Sequence, residues 1–169
     1  LDIEKMEAGK MAFQFERLSL QELAEQALKS NQAYADQYEV TYHRNPSPFT
    51  AWVTGDRERL NQVLANLLSN AAKFSPRQGL VTLSICTLEN GFYRLSVQDQ
   101  GSGIPVAFHS QIFSKFAQAD NSSTRRKGGT GLGLAISKEI IEKHGGHLDF
   151  YSEPGDTCFY FDLPPAKDN

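Results

Sequence analysis

Residues 80–99 have the sequence LVTLSICTLENGFYRLSVQD, which predicts two β-strands joined by a tight turn. Both runs are rich in residues that favour strands, and Asn90-Gly91 between them is a strong signal for a hairpin. We therefore expect strands at 80–88 and 92–99. They should pair antiparallel.

The residues upstream of this hairpin predict a long amphipathic helix. Asp56 opens it, and Pro76 ends it because proline cannot continue a helix. Apolar residues recur along it at helical spacing, so one face should belong to the core. These residues are Leu60, Val63, Leu64, Leu67, Leu68 and Ala71.

Two further helices and four further strands are expected around this centre. Ser19 and Glu22 have the spacing of a capping box, which predicts that a helix starts after Ser19. The other expected elements are strands near 38–43 and 49–54, a helix from about 131–133 to 145–146, and strands at 147–152 and 157–163.

Helices and strands alternate along the chain, yet at least one strand pair is an antiparallel hairpin. This combination favours an α+β fold over a doubly wound one. We expect a two-layer α/β sandwich, in which a mixed, mostly antiparallel sheet of about five strands carries three main helices on one face.

Composition narrows the class of protein. The chain has 169 residues, of which 40% are hydrophobic and 22% charged, and this suits one ordinary globular domain. A net charge of −3 gives no electrostatic argument for a nucleic-acid polymer as partner, and no apolar run approaches membrane-spanning length. We expect no direct membrane contact. Because the chain opens at Leu1 without an initiator methionine, we expect it to be part of a longer protein.

Several single residues have plain structural interpretations. We expect Cys86 and Cys158 to be buried free thiols and Trp52 to belong to the core. Phe113 and Phe116 are interpreted as core or lid-anchoring aromatics. His144, near the end of a helix, is interpreted as a cap favoured by the helix dipole rather than as a metal ligand.

Polar residues on the long helix form the first chemical pattern. Asn66, Asn70 and Lys73 follow one another at spacings of four and three, so they share a face. Their oxygens and ammonium group suit a hydrated Mg²⁺ and a polyphosphate. Taken alone, the pattern fits a solvated helix face better, although asparagine is a poor helix former.

The second pattern is DQGSGIP at residues 99–105. Tyr93, Leu95 and Val97 alternate onto one face of the preceding strand, and Asp99 continues the alternation. If that face is the core, the carboxylate points inward and needs a donor, such as the exocyclic amine of adenine. The alternative is a tight turn in which Asp99 accepts hydrogen bonds from turn amides. The two interpretations are equally supported by this stretch alone.

The third pattern is GGTGLGL at residues 128–134, which leads into a helix. Backbone amides at a helix N-terminus bind anions, and Arg125, Arg126 and Lys127 add positive charge just upstream. The stretch lacks the Gly-Lys-Ser/Thr of a phosphate-binding loop of the Walker type. A glycine cluster alone is weak evidence, and its alternative interpretation is a flexible linker.

Together, and in this order, the patterns resemble the catalytic domain of histidine kinases, within the Bergerat-fold ATPase group. RLNQVLANLLSNAAKFSP (59–76) resembles the N box of that family, and DQGSGIP its G1 box. QIFSKFAQAD (111–120) resembles the F box, and GGTGLGLAIS (128–137) the G2 box. LDIEKMEAGK (1–10) is similar to the end of the preceding dimerisation helix, and SEPGDTCFYFDLP (152–164) to the terminal hairpin.

The resemblance implies an ATP site with bound Mg²⁺. Asn70 is expected to coordinate the metal, with Asn66 beside it and Lys73 on a phosphate. Asp99 is expected to bind the adenine amine. The other implied nucleotide-binding residues are Phe74, Gly101, Gly103, Ile104, Arg125, Arg126, Gly129, Thr130, Gly131, Leu132 and Gly133, and residues 117–131 would form the lid over ATP.

The resemblance also implies a reaction. In related ATPases a glutamate that activates water occupies the place of Asn66, and an asparagine is not a base. This favours a histidine protein kinase, in which phosphoryl transfer to an imidazole replaces hydrolysis. None of the four histidines lies in the acceptor sequence of that family. We therefore expect this fragment to bind nucleotide without phosphorylating itself.

The implied partners are the dimerisation and phosphoacceptor domain of the same protein, and then a response regulator or receiver domain. The parent would be a homodimer in the bacterial inner membrane, and this piece a cytoplasmic monomer. We divide the chain into a helix tail and linker (1–18), a catalytic domain (19–165) and a polar tail (166–169). The alternatives are an ATPase of the same fold, a serine kinase of the anti-sigma type and a non-enzymatic interaction module.

Overall fold

A computed structural model of the chain describes residues 12–114 and 133–167. The helices in these ranges are α1 (Leu20–Ser30), α2 (Gln32–Tyr38), α3 (Arg57–Phe74) and α4 (Gly133–Lys143), with a 3-10 helix at Val106–Gln111. The strands are β1 (Glu16–Ser19), β2 (Thr41–Arg44), β3 (Trp52–Gly55), β4 (Leu80–Thr87), β5 (Tyr93–Asp99), β6 (His147–Glu153) and β7 (Asp156–Leu163).

Five of these strands form one mixed sheet in the order β2-β4-β5-β7-β6. Only its β2–β4 pair is parallel, and its other pairs are antiparallel. Strands β1 and β3 form a separate antiparallel pair. The α+β expectation of a mostly antiparallel, five-stranded sheet is confirmed.

The β4–β5 hairpin is closed as its sequence predicts. The amide of Leu88 donates to the carbonyl of Phe92 at 2.8 Å, and Gly91 has a φ of +90°, which favours glycine. The side chain of Asn90 accepts a hydrogen bond from the Phe92 amide at 2.9 Å. The two turn residues therefore close the connection between the central strands.

Side-chain caps fix where two helices begin. Ser19 caps α1 by accepting a hydrogen bond from the Glu22 amide at 3.3 Å, as its capping-box spacing predicts. Asp56 caps α3 in the same way through the Arg59 amide at 3.0 Å. The long helix therefore starts where the sequence places it, and it ends at Phe74, two residues before Pro76.

The core lies between the helices and one face of the sheet. Leu64 and Leu68 of α3 belong to the same buried cluster as Leu83 of β4 and Leu95 of β5. All of the apolar positions predicted for α3 are buried. This packing holds α3 across the centre of the sheet and presents its polar residues along the helix edge.

Some elements were not predicted. Strand β1 has only four residues, ERLS, of which two are exposed, so no alternation marks it. It lies partly in the segment that the sequence analysis treats as linker. Helix α2 has only seven residues and one buried side chain, which is too short for a periodic signal.

Two predictions about single side chains are wrong. Trp52 is 39% exposed because it lies on the separate β1–β3 pair, where the Arg17 guanidinium stacks 4.7 Å from its ring centroid. Cys86 is exposed because its strand turns it away from the core, whereas Cys158 is buried as expected. In the described ranges we find no helix with the length and apolarity needed to cross a bilayer.

Candidate functional site

Helix α3 carries the residues of the first pattern along one edge. Asn66, Asn70 and Lys73 are all half-buried, whereas Phe74 at the helix end is 41% exposed. The eight helical steps from Asn66 to Phe74 span about 12 Å. The other two patterns meet α3 at the two ends of this span.

Asp99 lies at the carboxyl end of β5 and is only 4% exposed. Its Oδ1 accepts a hydrogen bond from the Gly101 amide at 2.8 Å, and no other described residue donates to the carboxylate. Burial raises the pKa of Asp99 to about 6, although the Gly101 hydrogen bond opposes that rise. The turn interpretation is therefore confirmed for one oxygen. The adenine interpretation stays a prediction for the other oxygen.

Gly101 brings the second pattern against the end of α3. A Cβ atom at this position would stand 2.5 Å from the carbonyl oxygen of Phe74 and 2.8 Å from Asp99 Oδ1. Only glycine lets the two backbones approach this closely. The carboxylate of Asp99 is therefore held beside the last turn of α3.

The loop after Asp99 is fastened to the β6–β7 hairpin. The amide of Ile104 donates to Ser152 Oγ at 2.7 Å, and the carbonyl of Gly101 accepts from the Gly155 amide at 2.7 Å. Gly103 has a φ of +94° and packs on the backbone of Glu153. The hairpin thus fixes the shape of the predicted adenine-binding loop.

Two residues beside Asp99 escaped the sequence analysis. Thr157 faces Asp99 in the β5–β7 register and is 5% exposed, and its hydroxyl lies 2.8 Å from that of Ser152. The pairing joins residues more than fifty positions apart in the chain. No local pattern in the sequence signals it.

The third pattern meets α3 near Asn66. A Cβ atom on Gly133, the first residue of α4, would collide with the Asn66 carboxamide. One turn later, the buried hydroxyl of Ser137 accepts a hydrogen bond from Asn66 Nδ2 at 3.3 Å. The start of α4 is therefore packed directly on the amide-bearing edge of α3.

The rest of the third pattern lies outside the described residues, as does Phe116. These residues are Arg125, Arg126, Lys127, Gly128, Gly129, Thr130, Gly131 and Leu132. For them the sequence prediction stands alone.

Phe113 anchors the loop that follows the predicted adenine site. Its ring lies edge-on to Phe150 at 5.8 Å and to Phe159 at 6.2 Å between centroids. The Lys138 ammonium lies 5.5 Å from the same ring. Phe113 thus packs against the core, as the first of its two interpretations predicts, and its role in anchoring the lid stays a prediction.

His144 joins α4 to the opposite end of α3. Its Nε2 accepts a hydrogen bond from the Asp56 amide at 3.0 Å, and its Nδ1 donates to the Ile140 carbonyl at 2.8 Å. His144 therefore caps α4, as predicted. Burial lowers the pKa of the ring, and the Asp56 amide needs an unprotonated nitrogen, so this contact uses the neutral imidazole.

One cavity of the described chain, about 380 Å³, lies elsewhere, between α1 and α3. It contains none of the predicted site residues, and Leu23, Asn61 and Ala65 are among those that line it. The arrangement beside Asp99 offers a buried acceptor in a loop that its glycines allow to close on α3 and on the β6–β7 hairpin. The Asn70 carboxamide supplies the kind of oxygen that Mg²⁺ prefers.

Comparison with known proteins identifies related sequences and structures. Residues 55–167 match the sequence family described as "Histidine kinase-, DNA gyrase B-, and HSP90-like ATPase". The chain is 42% identical over 161 residues to the circadian input-output histidine kinase CikA of Synechococcus elongatus, covering 92% of this chain and 21% of the relative.

Two solved structures of histidine kinases are also similar. Full-length ShkA in complex with AMPPNP has a TM-score of 0.84 and 27% identity, covering 99% of this chain and 34% of that chain. The nucleotide-free catalytic domain of ThkA has a TM-score of 0.78 and 26% identity, covering 92% of this chain and all of that one. The chain spans about a fifth of the length of the curated relatives it matches.

Proposed function

Because this chain belongs to the family of histidine kinase-, DNA gyrase B- and HSP90-like ATPases, we propose that it is the catalytic domain of a sensor histidine kinase. It binds Mg-ATP and donates the γ-phosphate to a histidine on a dimerisation domain outside this chain. The phosphoryl group then passes to a response regulator or receiver domain in two-component signalling. The observation that carries the proposal is the convergence of three separate sequence patterns on α3.

Asp99 recognises the adenine in this proposal. Its second carboxylate oxygen, which has no donor among the described residues, accepts a hydrogen bond from the exocyclic amine. In this proposal Gly101 and Gly103 shape the loop that borders the base, because they let it close on Phe74 and on Glu153. Ile104 packs on the base. Phe74 lies next to Gly101 and lines the base or the ribose.

The phosphates extend from there along α3 toward α4. Asn70 provides an oxygen ligand for Mg²⁺, which neutralises charge on the phosphates when it is bound. Lys73 and the backbone of Gly133 bind phosphate oxygens. The remaining phosphate ligands proposed from sequence are Arg125, Arg126, Gly129, Thr130, Gly131 and Leu132.

Transfer to a histidine is favoured over hydrolysis by the residue at position 66. A carboxamide has no basic site with which to activate water, and the amide nitrogen of Asn66 is engaged by Ser137. Asn66 therefore contributes a neutral polar group to the phosphate site and does not activate water. The domain positions ATP and leaves the imidazole to act as nucleophile.

The same proposal includes the partners, which are the dimerisation domain and the response regulator. It also places this domain in the cytoplasm, as part of a kinase anchored in the bacterial inner membrane. Homodimerisation is assigned to the parent, and this chain alone is proposed to be a monomer. These assignments are supported by the similarity to sensor kinases of which this chain covers only a fraction.

The test uses the parent protein that contains the dimerisation helices, with γ-labelled ATP and Mg²⁺. We expect labelling that is acid-labile and alkali-stable, as for phosphohistidine, and its loss in Asn70→Asp. The present chain alone should remain unlabelled and release almost no phosphate. Steady phosphate release by this chain without labelling of the parent would instead identify an ATPase.

A further inference from the structure

Asn66 is the point at which the two helices of the proposed phosphate site touch through polar groups. Its side chain leaves α3 and meets α4, where Nδ2 donates to the Ser137 hydroxyl at 3.3 Å. Ser137 is only 1% exposed. A hydroxyl buried this deeply is costly unless it is hydrogen-bonded, so this contact explains why a polar residue is tolerated there.

Gly133 completes the contact from the preceding turn of α4. Positions 133 and 137 are four residues apart and therefore lie on the same face of the helix. A Cβ at Gly133 would collide with the Asn66 carboxamide, so a larger residue at this position would displace that side chain. Gly133 and Ser137 thus hold one carboxamide from two consecutive turns.

We propose that Ser137 is a positioning residue for phosphate binding. Through Asn66 it fixes the start of α4, and so the backbone of Gly133, against the edge of α3 that carries Asn70. The inference rests on the proposed function, because the groups being positioned are the proposed phosphate and metal ligands. Asp99 lies at the other end of the α3 span and should not depend on this contact.

The test is the affinity of this chain for two ligands, adenosine and a non-hydrolysable ATP analogue with Mg²⁺, in wild type and in Ser137→Ala. We expect the variant to bind the ATP analogue about fivefold more weakly, the value of one net hydrogen bond of about 1 kcal/mol. Adenosine should bind as in wild type. If Ser137 had a purely structural role, Ser137→Ala would lower the affinity for both ligands equally or for neither.

A matched control is available on α3. The hydroxyl of Ser69 donates to the backbone carbonyl of Asn66 at 3.1 Å, within α3. Ser69→Ala therefore removes a half-buried hydroxyl one turn from the same asparagine. We expect it to leave the affinity ratio of the two ligands unchanged.

A double-mutant cycle tests whether Ser137 acts through Asn66. If it does, Asn66→Ala combined with Ser137→Ala should bind the ATP analogue no more weakly than Asn66→Ala alone. Additive losses, or a Ser137→Ala variant that behaves like Ser69→Ala, would overturn the inference while leaving the proposed function intact. Failure of the wild-type chain to bind the ATP analogue would overturn both.

Discussion

At the scale of single residues, Asp99 stands out because the fold buries a charge without fully pairing it. Its pKa is raised from 3.8 to about 6, mainly by burial, so the ionised carboxylate costs the unliganded domain up to about 3 kcal/mol. Such a cost is typical of a group kept for binding rather than for stability.

We therefore predict that Asp99→Asn stabilises the domain without nucleotide at pH 8, by about 1–3 kcal/mol. The gain should shrink as pH falls through about 6 toward 4, because the wild-type carboxyl then becomes protonated in the folded state and stability rises. Urea unfolding at pH 8 and pH 5 measures both effects. A variant less stable than wild type at pH 8 would contradict the account.

A second prediction separates the two ends of the site. Asp99→Asn places an amide opposite the adenine amine, so the affinities for adenosine and for the ATP analogue should both fall tenfold or more. A tenfold loss of affinity corresponds to about 1.4 kcal/mol of binding free energy. Asn70→Asp should change the affinity for the ATP analogue and the dependence of that affinity on Mg²⁺. The affinity for adenosine should stay the same. Equal effects of both substitutions on both ligands would show that this division of labour is wrong.

The sequence alone could place Asp99 because strand alternation is a local property. Leu95, Val97 and Asp99 are buried in the order that the alternation predicts. Ser137 and Thr157 could not be found in this way. Each becomes important only through a partner on a distant element, and no local pattern encodes that pairing.

At the scale of elements, the start of α3 is also the place where the segment before β1 docks. Asp56 uses one oxygen to cap the helix through Arg59 and the other to accept the Gln14 amide at 2.7 Å. Phe13 and Phe15 stack on each other, and both lie edge-on to the His144 ring. The end of the predicted linker is thus held against both helices of the site.

We predict that Asp56→Ala destabilises the domain by about 1–2 kcal/mol or more, because it removes a helix cap and leaves the Gln14 amide without its acceptor. Ser19→Ala is the matched control, since it removes a cap from α1 that accepts one amide, at 3.3 Å, and otherwise donates only a long hydrogen bond of 3.5 Å to Gln21. Urea unfolding of both variants measures the difference. A loss in Asp56→Ala no larger than in Ser19→Ala would refute the double role.

The elements that could be predicted are those with a long periodic signal or a clear boundary residue. Helix α3 and the β4–β5 hairpin are of this kind. Strand β1 and helix α2 are too short for periodicity, and their positions depend on pairing with β3 and packing near β2. Trp52 was wrongly assigned to the core because the sequence does not show that β3 lies outside the main sheet.

At the scale of the whole molecule, two buried groups make the free energy of unfolding change with pH in opposite directions. Burial lowers the pKa of His144, so protons bind the unfolded chain first and stability is lost as pH falls below about 6.5. Asp99 has the opposite effect, because its protonation in the folded state adds stability as pH falls through about 6. The two effects partly offset each other in the native protein.

Removing Asp99 should expose the effect of His144. We predict that the stability of Asp99→Asn falls more steeply than that of wild type between pH 7 and pH 5, because the compensating proton uptake is gone. Replacing His144 by glutamine in the Asp99→Asn background should flatten the profile again. Parallel profiles for wild type and Asp99→Asn would contradict the assignment of these two groups.

The central claim is that three separate stretches of sequence form one Mg-nucleotide site along α3. Calorimetric titration of a non-hydrolysable ATP analogue into the wild-type chain, with Mg²⁺ and then with a chelator, tests it most directly. We predict binding close to one nucleotide per chain, weakened when the metal is removed. Absence of binding in both conditions would contradict the claim and favour a domain that only docks partner proteins.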